Sequence, residues 1–188
     1  MRLIIAAFLG GVVLFFWGFV SHMVLPVGEM GHGMANNEDV VIAALKEGLP
    51  AREGVYHVPG LAPDQYEDEA ASAAYATKAV ANANAFIVYQ PIGRNGLDMG
   101  PQLGKEFATN LVSALVAAWV LSLGAFGFGK RVAIATVLGL FAWLVISVPY
   151  WNWYRFPLDF TLGAFIKAVV GWFLAGLPMA WWLGRKGQ

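Results

Sequence analysis

Long apolar runs separated by short polar intervals dominate this chain. The segments 3–25, 107–128, 132–150 and 160–183 hold a single charge between them, Lys167, although the chain has 12 basic and 12 acidic residues. A helix rises about 1.5 Å per residue, so about 20 apolar residues cross a hydrocarbon core of about 30 Å. Each run is therefore read as a membrane-spanning helix, which satisfies its own backbone polar groups in lipid. The third, uncharged from Val132 to Val148 and stopped at Pro149, is the shortest. Small residues four apart recur in every run: Ala7 and Gly11, Ser113 and Ala117, Ala135 and Gly139, Gly171 and Ala175. Such pairs share a helix face and let backbones approach closely, which favours one bundle over separate anchors.

The pattern predicts an all-α integral membrane protein: a four-transmembrane-helix bundle with a small α+β extracytoplasmic insertion between helices 1 and 2. Residues 1–25 supply the first span, 26–106 the insertion, and 107–188 the other three spans with short loops. The first apolar run exceeds the roughly 7–15 residues of a signal-peptide core and precedes no small-x-small cleavage site, so it is expected to remain as an anchor.

Within the insertion, periodicity and capping residues predict two helices. One runs from Glu38 to Leu49 with Asn37 as its N-cap, and one from Asp64 to about Ala83, with Asp64 and Glu67 as a capping box. The strings GVYHVPG and AFIVYQP have the branched and aromatic content of strands, and Asn95-Gly96 marks a turn. A two-stranded sheet alone is marginal in water, so this insertion is expected to lean on the bundle or on a partner.

Composition sharpens the class. Hydrophobic residues make up 59% and charged residues 13% of the chain, which excludes a disordered chain, a coiled coil and an ordinary soluble domain. Lys and Arg near the helix ends set orientation. One side holds Arg2, Lys130, Arg131, Arg185 and Lys186 without an acid; the insertion carries 5 basic and 11 acidic residues. Both termini are therefore expected in the cytoplasm and residues 26–106 outside, with a bacterial inner membrane as the expected location. The absence of Cys excludes disulfides, thiol catalysis and Cys-based metal sites. Zero net charge and an acidic insertion give no reason to expect nucleic acid as a partner.

Four features bear on chemistry. Met30, His32 and Met34 alternate with glycines, and a Met-x-His-x-Met spacing suits soft copper(I) in an extended chain. The bland alternative is a flexible loop, and no other cofactor is expected. His22, near the outer end of the first span, reads as an interfacial polar residue and not as a haem ligand. The third feature is the segment after span three, in which Tyr150, Trp151, Trp153, Tyr154, Arg155 and Phe156 lie between two prolines. Aromatic residues settle at the membrane surface, but this density also suits contact with a lipid headgroup, a quinone or another subunit. Lastly, Lys167 lies about two turns into the fourth span, where it can snorkel or pair with Asp159 or Glu106. Asn110 can extend that polar patch. No P-loop and no Ser–His–Asp arrangement is present.

The expected function is that of a non-enzymatic membrane protein, an accessory or stabilising subunit of a larger membrane complex, in contact with membrane lipids and other subunits. The alternatives are an extracytoplasmic copper or small-molecule binder, and a lipid- or quinone-handling membrane enzyme or carrier.

Overall fold

The computed structural model describes residues 1–185; Lys186, counted above among the basic residues, lies outside them. Helix α1 spans Arg2–Phe19 and runs on into a π turn, Val20–Val24, and a 3-10 turn, Pro26–Glu29. Then follow α2 (Glu38–Gly48), β1 (Gly54–Val58), α3 (Glu69–Ala81), β2 (Ala85–Tyr89), α4 (Gly100–Ser122), α5 (Phe128–Tyr154) and α6 (Leu158–Gly184). Residues 1–33 and 97–185 form one compact unit and 34–96 a second.

In the helical unit, α1 packs on α4 and α6, and α5 packs on α6. Cross-contacts fix the directions. Phe15 meets Phe107 edge-on at 5.3 Å, and Gly11 abuts Leu111, so α1 and α4 are antiparallel. Trp143 meets Phe165 at 5.1 Å and Gly139 abuts Trp172, so α5 and α6 are antiparallel as well. Glycine is needed at the closest approach: a Cβ on Gly139 would sit 2.6 Å from the Ala168 carbonyl oxygen. The packed core is made mostly of alanine (Ala6, Ala7, Ala114, Ala117, Ala118, Ala135, Ala175), with Leu121 and Met179 filling it. Ala7, Ala117, Ala135 and Ala175 among them belong to the pairs whose spacing predicted close packing.

Three helices are long and apolar enough to cross a membrane: α1 with its π turn (Arg2–Val24), α5 and α6. They mark the protein as membrane-associated. The expected span 107–128 is not among them. Helix α4 begins earlier, at Gly100, so it includes Lys105 and Glu106, and it ends earlier, at Ser122. Its uncharged part, Phe107 to Ser122, is about 24 Å long. The chain turns at Gly124, whose carbonyl accepts from Phe126 N–H at 2.8 Å while the Phe126 ring folds back over the glycine.

A second correction concerns Pro149, expected to stop the third span. Helix α5 passes through it to Tyr154. A proline inside a helix gives up its own N–H bond and crowds one carbonyl, but the next turn holds: Tyr150 and Tyr154, four apart, stack at 5.5 Å. Arg155 ends the helix in the left-handed region, φ 58°, the conformation of a common C-terminal cap.

The second unit contains the expected elements with shifted bounds. Asn37 accepts from Val40 N–H at 3.1 Å, as an N-cap should. Asp64 does not start a helix; it sits in a 3-10 turn, Pro63–Gln65. The cap of α3 is Asp68, whose carboxylate accepts from Ala70 and Ala71 N–H at 2.9 and 3.1 Å. The 3-10 turn closes on itself, with the Gln65 side chain accepting from Ala62 N–H, and so uses up the residues expected to open the helix. Strands β1 and β2 pair antiparallel, from Gly54 opposite Tyr89 to Val58 opposite Ala85. Tyr56 and Tyr89 (6.3 Å) and His57 and Phe86 (5.1 Å) meet across the pair. This unit buries very little: of residues 34–96 only Pro59 is buried.

Candidate functional site

The segment after α1 builds a polar cluster at one end of the helical unit. A π turn carries one more residue per turn than an α-helix, and such turns recur at functional sites. Here it places Ser21 inward, fully buried and donating to the Gly18 carbonyl at 2.9 Å, and carries His22. Pro26 then opens the 3-10 turn that ends at Glu29. The turn closes over the histidine so tightly that a Cβ on Gly28 would overlap the His22 ring. Gly31 adopts φ +75°, a conformation glycine takes freely, and its backbone lies against Phe160. Gly163 receives the same segment, since a Cβ there would lie 2.8 Å from the Val27 carbonyl oxygen. Residues 27–31 are thus seated on the start of α6.

That seating brings three charged or titratable groups into line. Lys167 Nζ lies 2.6 Å from His22 Nε2, and His22 Nδ1 lies 3.8 Å from Glu29 Oε1. When Lys167 is an ammonium, Nε2 accepts, and the imidazole proton sits on Nδ1 facing the carboxylate. Glu106 and Glu29 both lie within electrostatic reach of Lys167. Asn110 Nδ2 reaches Glu106 Oε1 at 3.5 Å. Behind the cluster, Trp17 donates its indole N–H to the Lys167 carbonyl at 3.0 Å, tying α1 to α6. Among the described residues no ion pair joins Lys167 to Asp159, which sits in the first turn of α6. Sequence reasoning had treated His22 and Lys167 separately. His22 follows the C-terminal end of α1 and Lys167 lies near the N-terminal end of α6, so antiparallel packing of the two helices puts them side by side.

The aromatic segment is helical up to Tyr154, and only Arg155 and Phe156 lie in the connection to α6. Its rings divide. Tyr150 stacks on Phe156 at 5.2 Å, Phe156 on Phe160 at 5.0 Å, and Phe160 faces His32 at 5.3 Å. This ladder joins the end of α5 to the start of α6 and to the 26–33 segment. Trp151 and Trp153 stay outside it, 46% and 77% exposed. Arg155 is exposed beside them.

Met30, His32 and Met34 are used differently. Met30 packs against Gly163, His32 belongs to the ring ladder, and Met34 is 89% exposed at the start of the second unit. No group of three or more His, Asp or Glu side chains that could hold a metal ion occurs among the described residues.

A helical, membrane-associated protein with a Lys–His–Glu cluster at one end of its helices is the class these observations define. No known protein family, curated protein or solved structure matches the chain.

Proposed function

We propose that the protein acts by contact, as an accessory or stabilising subunit of a larger membrane complex. The carrying observation is the 34–96 unit, which has two helices and a two-stranded sheet yet buries only Pro59. Its apolar side chains include Val40, Val80, Val88 and Ile92 at 62%, 90%, 71% and 83% exposure. A sheet of two strands gains too little from its own packing to persist in water, and a fold that leaves such residues uncovered is completed by a partner surface. Trp151 and Trp153, held out on a rigid helix end, suit the same role, since exposed tryptophans are common anchors of interfaces.

In this reading α4 crosses the bilayer with the other three helices, because it lies antiparallel along α1 as a spanning neighbour would. The termini then lie in the cytoplasm of a bacterial cell, and the 34–96 unit lies outside the inner membrane. A photo-crosslinker placed at Val88 or Ile92 in native membranes tests the contact role. Discrete adducts with one or two membrane proteins support it; adducts with this chain alone count against it.

A second reading, a lipid- or quinone-handling protein, draws on the Lys167–His22–Glu29 alignment. Those groups offer exchangeable protons at a membrane edge, the chemistry that a quinone or lipid headgroup requires. Organic extraction of the purified protein tests it: a quinone or lipid present in wild type and lost in Lys167→Met supports it, and identical extracts reject it.

A further inference from the structure

The two ends of the helical unit differ in charge: one mixes acids with cations, and the other holds cations alone among the described residues. Glu29, Asp98, Glu106 and Asp159 follow the end of α1 or sit before or within the first two turns of α4 and α6, where Lys105, Arg155 and Lys167 accompany them. At the other end stand Arg2, Lys130, Arg131 and Arg185, with no carboxylate among them. There the chain encloses an open groove of about 350 Å³, lined by Phe126, Arg131, Trp181 and Arg185 among others.

Arg131 is the unusual member. It is only 9% exposed, and its Nε donates to the Leu121 carbonyl at the end of α4 (3.2 Å). That bond serves a carbonyl near the negative end of a helix, and among the described residues no carboxylate pairs with the guanidinium. A buried charge is costly unless a counter-charge meets it. Arg185 stacks over Trp181, 4.5 Å from the ring centroid, and over Trp182 at 5.5 Å. Stacking holds a guanidinium plane while its N–H edge stays free for a bidentate acceptor. Lys130 is held over Phe126 at 4.8 Å and adds a third cation. Two arginines, one buried and one stacked, beside aromatic rings offer the bidentate donors that phosphate oxygens accept from.

We propose that this groove binds the phosphate of an anionic phospholipid from the adjoining leaflet. The occupant is a lipid because the groove is walled by Phe126, Phe128 and Trp181 as well as by cations, so acyl chains have apolar surface to follow. Anionic headgroups also concentrate at membrane surfaces that attract basic residues. Neither the contact role nor the Lys167 cluster is needed for this site.

The test uses the full chain, delipidated in detergent and then mixed with phosphatidylglycerol or phosphatidylcholine, with bound lipid counted by native mass spectrometry. Wild type should retain one phosphatidylglycerol at least about tenfold more tightly than phosphatidylcholine, the value of one or two charge-assisted bonds. Arg131→Lys and Arg185→Gln should each weaken retention by about tenfold, and Lys46→Gln, in the 34–96 unit, should leave it unchanged. Arg185 is exposed, so its replacement keeps the test sound if the Arg131 variant fails to fold. Equal retention of both lipids overturns the proposal. So does unaltered retention in Arg185→Gln, or displacement of the lipid by millimolar inorganic phosphate, which would make this a site for the free ion.

Discussion

Lys167 Nζ sits 2.6 Å from Nε2 of His22, a residue 145 positions earlier in the chain. The pair joins the fourth apolar run to the end of the first, and the Trp17 indole bond to the Lys167 carbonyl reinforces the same junction. A lone lysine two turns inside a span is most simply a snorkelling side chain. Here its nitrogen faces the His22 imidazole instead, with Glu29 on the far side of the ring.

Removing one partner of this junction should therefore hurt more than removing both. His22→Ala leaves the ammonium without its acceptor and is expected to lower stability in detergent by about 1–2 kcal/mol. The double variant His22→Ala/Lys167→Met should recover part of that loss, because the two changes are coupled. Thermal unfolding of the four proteins in the cycle measures the coupling. Strict additivity would show that the two side chains do not interact.

Arg155 holds a left-handed conformation at φ 58° where glycine would be at ease. Arg155→Gly is expected to stabilise the α5–α6 connection by about 1 kcal/mol, and Arg155→Val to destabilise it by at least as much. Melting temperatures of both variants check the sign. If Arg155→Gly is the less stable, the arginine makes contacts that outweigh its backbone strain.

The passage of α4 through the bilayer is testable with single-cysteine reporters, since the chain has no cysteine of its own. A cysteine at Gln65 and one at Gly129 flank α4 in sequence. They should label from opposite sides of an intact membrane, Gln65 from outside. Labelling from the same side would show that α4 lies along the surface.

Much of the architecture was readable from periodicity and charge alone. Runs of apolar residues located α1, α5 and α6, and the small residues at Gly11, Ala117, Ala135, Gly139 and Ala175 marked where helices touch. The ends were less legible because they depend on local competition. Pro149 was tolerated by a turn that its tyrosines hold together, and Asp68 displaced Asp64 as a cap because Pro63–Gln65 had already formed a turn. Gly124 cut α4 short although hydropathy ran on to Phe128. At the candidate site, Lys167 stood out as the only charge in a span, but its partner did not. His22 became visible only once a π turn, a 3-10 turn and two close glycine contacts had folded residues 20–31 onto α6.

Purification from native membranes in mild detergent, followed by mass spectrometry of the whole peak, tests the contact role most directly. Wild type should carry one or more other membrane proteins in fixed stoichiometry, and replacing Trp151, Trp153, Val88 and Ile92 by Ser should release them while the helical unit stays folded. A monodisperse peak containing this chain alone, in wild type as in the variant, would contradict the account.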